Sequence, residues 1–123
     1  MQDKAEIAHG SYRAYLEKDR AAIEALLAED FHFTSPLDNR IDRKAYFALC
    51  WPSSETIEAF EFIHTVVDGE RVFVTYEGRR KGGARFRNTE IATIRDGLIA
   101  EVEVYFGWNI PHEAGEGQHI DPK

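Results

Sequence analysis

Phe86–Trp108, FRNTEIATIRDGLIAEVEVYFGW, decides the fold. It reads as two strands joined at Asp96-Gly97, a dipeptide that marks a hairpin when alternating runs flank it. Side chains alternate faces along a strand, so Phe86, Asn88, Glu90, Ala92 and Ile94 share one face. On the second strand Ala100, Val102, Val104 and Phe106 share a face. Glu101, Glu103 and Tyr105 take the other. Glu90 therefore stands at the polar end of an apolar row. A buried acid is costly and is seldom kept without a partner or a task, so this face reads as the wall of a lined pocket.

Working outward, residues 4–18 repeat apolar positions at helical spacing: Ile7, Ala8, Tyr12, Tyr15 and Leu16. Asp19 is placed to cap a second helix through Leu27, with Ile23, Leu26 and Leu27 as its stripe. Phe31 to Ser35 alternates and stops at Pro36, the pattern of an edge strand, with Pro36 to Ile41 as a loop. Asp42 caps a third helix, Arg43 to Cys50, carrying Tyr46, Phe47 and Leu49. Thr56 to Val67 reads as a strand with Phe60, Phe62, His64 and Val66 on one face. Asp68-Gly69 turns into another strand, Arg71 to Arg79. Arg79-Arg80-Lys81 reads as a solvated loop with Gly82-Gly83 at its tip. Helices followed by strands make an α+β domain over residues 1–110, with a polar, loosely held tail over residues 111–123.

The closing hairpin, with its Asp-Gly turn and its Tyr-Phe-Gly ending, resembles the last hairpin of the NTF2-like superfamily. That superfamily includes the ketosteroid isomerases and the SnoaL-type polyketide cyclases. SYRAYLEKDRAAIEALLAEDFHFTSP, residues 11–36, resembles the same family's opening. The resemblance spans residues 5–110. It implies a cone-shaped, cystatin-like fold: three N-terminal helices on a strongly bent antiparallel sheet, with a pocket between them.

The resemblance also assigns positions. The oxyanion-hole tyrosine of ketosteroid isomerases falls on Tyr12, and their second oxyanion donor, an acid on the penultimate strand, falls on Glu90. Their general base, a carboxylate just before a proline, falls on Ser35. A serine cannot abstract a proton from carbon unaided, so steroid isomerase activity is not expected. Asp38, three residues on, is a candidate replacement base; the plain alternative is a turn former. Glu90 is itself a candidate base, since burial raises a carboxyl pKa; alternatively it fills a polar hole beside Tyr12 or His64. His64 is a candidate proton shuttle with Glu90, similar to the His/Asp pair of SnoaL-type cyclases. Phe33, Ser35, Trp51, Tyr76, Phe86, Asn88, Phe106 and Trp108 are the candidate ligand-binding residues, mostly aromatic and suited to a flat apolar molecule.

Composition removes other classes. The chain has 123 residues, 43% hydrophobic and 30% charged, as in a single globular domain. A net charge of −7 disfavours nucleic acid and anionic membranes. One cysteine, Cys50, allows no internal disulfide and reads as a buried inert thiol. No metal-ligand spacing, phosphate loop or nucleophile elbow occurs, so neither metal nor cofactor is expected. Residues 1–10 lack a basic start and an apolar stretch, so a cytoplasmic location is expected. Ile91, Thr93 and Tyr105 have the opposite parity from Glu90 and predict a homodimer through the convex sheet face. The activity class is a cofactor-independent isomerase, cyclase or dehydratase moving a proton on a small hydrophobic carbonyl compound. A binding or sensing module and a dimerisation scaffold are the alternatives.

Overall fold

The computed structural model describes residues 3–122. Three short-range caps set the helices. Asp3 accepts from the backbone N–H groups of Ala5 and Glu6 and starts α1 (Lys4–Glu17). Asp19 accepts from the N–H of Ala22 and starts α2 (Arg20–Leu26). Asp42 does the same with Ala45 for α3 (Arg43–Leu49). Each such cap stabilises its helix by about 1 kcal/mol. Between α1 and α2 the chain reverses at Lys18, which adopts φ 54° so that the N–H of Asp19 can close on the carbonyl of Ala14. A 3-10 helix, Trp51–Thr56, follows α3.

Six strands form one mixed sheet in the order β2-β1-β6-β5-β4-β3. They are β1 (Leu27–Ser35), β2 (Asp38–Asp42), β3 (Ile57–Asp68), β4 (Arg71–Arg80), β5 (Arg85–Arg95) and β6 (Leu98–Ile110). The helices cover one face, and α1 runs across β3, β4, β5 and β6. This is the α+β cone that the family resemblance implied, with a mixed sheet in place of an antiparallel one. At its turn both Asp96 and Gly97 have positive φ, 54° and 77°. That geometry matches the right-handed twist of the flanking strands. Past Ile110 the described residues form bends and turns only. Among the described residues no helix is long and apolar enough to cross a membrane.

Two expectations need correction here. β1 is not an edge strand: it lies between β2 and β6 and runs parallel to β6. The segment expected as a loop folds back as β2, pairing Phe33 with Ile41 and Ser35 with Asp38. DNRID is too polar to show strand periodicity, and backbone pairing alone makes it a strand.

Three irregularities re-aim side chains. In β3 the register slips between Phe62 and His64. Phe62 pairs with inward-facing Tyr76, whereas His64 pairs with Thr75 and takes the outer face. Thr65 takes the inner position instead and hydrogen-bonds His9 Nε2 at 2.9 Å; the His9 ring stacks on Phe62 at 4.0 Å. His9 is thus half-buried. In β6 a slip near Ala100 brings Ile99 opposite Ile94 on the inner face. A third slip sets Gly107 and Trp108 against Arg87. A Cβ on Gly107 would stand 2.3 Å from the Arg87 carbonyl oxygen, so only glycine fits.

The inner faces and the helices share a core in which Phe31, Ile23, Ile99, Val72 and Val74 are fully buried. The core does not fill the cone, and the unfilled volume is the site.

Candidate functional site

A cavity of about 300 Å³ lies between the helices and the concave sheet face. Strand parity places its polar floor. On β4, Val72, Val74, Tyr76 and Gly78 alternate inward. On β5, Asn88 and Glu90 stand opposite Tyr76 and Val74. The Tyr76 hydroxyl donates to Glu90 Oε2 at 2.6 Å, and Asn88 Nδ2 donates to the Tyr76 hydroxyl at 3.3 Å. From above, α1 lowers Tyr12 into the same floor, its ring 4.9 Å from that of Tyr76. Tyr12 and Glu90 therefore border the same cavity.

Glu90 lies deep in the molecule yet keeps part of its surface on the cavity. It is an acid at the bottom of an open cone, not one sealed in packing. Burial raises its pKa above the ordinary carboxylate range, while the hydrogen bond from Tyr76 and the nearby Tyr12 hydroxyl pull it partway back. The two phenols move the other way. Burial first, and then the Glu90 charge, raise the pKa values of Tyr12 and Tyr76, so both remain neutral donors. The floor thus holds one carboxyl group and two neutral phenols.

Asp38 borders the cavity nearer its mouth. The β1–β2 hairpin sets Asp38 against Ser35, whose hydroxyl donates to Asp38 Oδ2 at 2.7 Å. The Cys50 thiol faces the same oxygen at 3.9 Å. Burial, and then the Asp38 charge, push that thiol up to about 11, so it is no nucleophile at neutral pH. Phe33, Ser35, Phe86 and Phe106 also border the cavity.

Three expected residues do not. His64 is exposed on the outer face, because the extra residue in β3 turns it away from Glu90. Trp51 packs edge-on against Tyr15 at 4.9 Å and against Phe47, behind the wall. Trp108 lies outside the cone with Arg87 over its ring, a consequence of the Gly107 bulge. Among the described residues no three His, Cys, Asp or Glu side chains gather as a metal site would require.

Three residues were missed by the sequence reading. Tyr15 and Tyr46 join hydroxyls at 2.6 Å beside the floor. The signal was tyrosine in place of phenylalanine in an apolar stripe, since a buried hydroxyl needs a partner. Arg80 is no solvated loop residue. It ends β4 in phase with Tyr76 and Gly78 and borders the cavity.

Comparison with known proteins agrees with this architecture. Residues 8–102 match the SnoaL-like domain family. No curated protein matches the sequence. An NTF2-like protein of unknown function from Burkholderia pseudomallei superposes with TM-score 0.70 at 20% identity, over 87% of this chain and 92% of that one. A candidate polyketide cyclase from Sinorhizobium meliloti gives 0.69 at 22% identity, over 80% and 93%. A candidate ketosteroid isomerase from Kribbella flavida gives 0.72 at 16% identity, over 98% and 89%. At these identities the likeness speaks to the fold.

Proposed function

This chain belongs to the SnoaL-like domain family, and from that premise we propose that its cone binds a small apolar carbonyl compound and moves a proton on it without a cofactor. The observation that carries this reading is the 2.6 Å bond from Tyr76 to Glu90 at the closed end of an apolar cavity. In the proposed reaction the substrate carbonyl oxygen accepts from Tyr12, while Tyr76 holds Glu90 in place. Glu90 takes a proton from the carbon beside the carbonyl, and the C–H electron pair passes into an enolate held by the Tyr12 hydroxyl. Returning the proton to another carbon gives an isomerase. If the proton held by Glu90 is instead passed to a β-hydroxyl, which leaves as water, the result is a dehydratase; if the enolate carbon attacks a second carbonyl and that proton goes to the new alkoxide oxygen, the result is a cyclase. Asp38, held by Ser35, is a second carboxylate placed to accept or return a proton nearer the mouth.

The test is deuterium incorporation at C1 of 2-tetralone in D₂O, followed by proton NMR. The protein is expected to accelerate exchange well beyond buffer and beyond heat-denatured protein. A second reading, a binding module without chemistry, draws on the floor being satisfied internally, with Tyr76 on Glu90 and Tyr15 on Tyr46. Saturable binding of 2-tetralone without exchange would favour that reading and overturn the first.

We also propose that two copies pair through the convex sheet face. Val66, Phe73 and Ile91 stand side by side across β3, β4 and β5 on that face. Val66 and the nearby Tyr105 are 57% and 53% exposed. An apolar row of this kind is a common self-association surface. Light scattering is expected to return twice the 14.1 kDa chain mass. A monomer at micromolar concentration would refute the pairing.

A further inference from the structure

The cone does not end at its aromatic rim. Phe86, Asn88 and Phe106 border the main cavity on one side and a second cavity, also about 300 Å³, on the other. Arg80 borders both. The second cavity is lined by two arginines, Arg80 and Arg85, and among the described residues by no carboxylate. That is unexpected in a chain of net charge −7.

Neighbouring arginines are paired. Arg79 meets Glu58 at 3.6 Å, and Arg85 and Arg87 share Glu77. Among the described residues Arg80 has no carboxylate partner. Its guanidinium donates to Thr56 Oγ1 at 2.9 Å and lies 4.9 Å over the Phe86 ring. A guanidinium has five N–H donors, so most of its capacity is unspent. The residue is half-buried, and a charge drawn partly out of water is unfavourable until a counter-charge meets it. Local sequence fixes this pose. A Cβ on Gly78 would stand 2.4 Å from the Phe86 ring, so the glycine makes room for the ring that Arg80 covers.

We propose that Arg80 docks an anionic group of the ligand. The ligand is an apolar carbonyl compound bearing a carboxylate, its body in the cone and its carboxylate on Arg80 at the junction with the second cavity. The planar guanidinium fork matches a carboxylate with two parallel hydrogen bonds. A phosphate dianion would call for more cations, and the other arginine at hand is already engaged with Glu77. The inference rests on reading the cone as a ligand pocket and narrows what that pocket takes.

The test compares two probes of one shape, 2-naphthylacetate and uncharged 2-naphthylacetamide, by calorimetric titration of the full chain. The wild-type protein is expected to bind the acid about ten-fold tighter, the size of one charge-assisted hydrogen-bond pair. Arg80→Gln is expected to remove that preference, the acid losing about ten-fold more affinity than the amide. Arg80→Lys keeps the charge without the fork and is expected to retain part of it. Equal wild-type affinities overturn the anion site and leave the cone reading standing. A preference that survives Arg80→Gln, or an equal loss of both probes, overturns the assignment to Arg80. Binding of neither probe overturns both the anion site and the pocket reading.

Discussion

Glu90→Gln is expected to slow proton exchange on 2-tetralone by about a hundred- to ten-thousand-fold, the usual worth of a positioned general base. Glutamine has the same shape, and its carbonyl oxygen can still accept from Tyr76, so ligand binding is expected to persist. What it cannot do is take a proton. The pH dependence gives an independent readout. A base works in its ionised form, so the wild-type rate falls as pH drops through the folded pKa of Glu90. Burial sets that pKa above the ordinary carboxylate range, so the fall begins at a higher pH than for an exposed glutamate. The residual rate of Glu90→Gln lacks this inflection. Stability carries the same sign. The folded state holds the Glu90 proton to a higher pH than the unfolded chain does. This group's favourable contribution is therefore present below the unfolded pKa and lost as pH rises through the folded one. Glu90→Gln removes that decline. Unchanged exchange kinetics in this variant would pass the role of base to Asp38.

The second large effect is on stability. Phe31→Ala is expected to destabilise the protein by about 3–5 kcal/mol, read from the shift of the urea midpoint at constant slope. Phe31 is 1% exposed and is the largest fully buried side chain. Its ring meets Tyr46 edge-on at 5.1 Å, and Tyr46 in turn presents its hydroxyl to Tyr15. Against a domain stability of about 5–15 kcal/mol, this one residue carries a large share. A loss under about 1 kcal/mol would mean that the neighbouring residues close over the vacancy without penalty.

What was legible in the sequence was local. Asp19 and Asp42 are helix caps within three residues of what they cap, and the sequence shows both. Asp96-Gly97 names its own turn. Strand parity, together with the family resemblance, brings Tyr12 to Glu90. The failures share a cause: alternation holds only while the register does. One extra residue between Phe62 and Thr65 sends His64 outward, and hydrophobicity carries no mark of it. The bulge that removes Trp108 had one cue, the glycine before it. Arg80 was lost to the opposite error. Its strand continues past the point where charge suggests a loop, and the parity of Tyr76 and Gly78 simply extends to it. The parallel pairing of β1 with β6 lies beyond any local signal, since it joins residues about seventy positions apart.

That pairing also orders events during synthesis. Helices α1 to α3 and the β3–β4 hairpin can take shape as they leave the ribosome, because their partners are near in sequence. The sheet cannot. Among the described residues β6 alone pairs with both β1 and β5, so until Leu98–Ile110 has emerged the nascent chain presents two unpaired edges beyond those of β2 and β3, and an uncovered core. The strand that closes the barrier against misassociation is also the one that carries Val102, Val104 and Phe106 into the cone. A newly made molecule therefore has no pocket until the inner edges of β1 and β5 are closed.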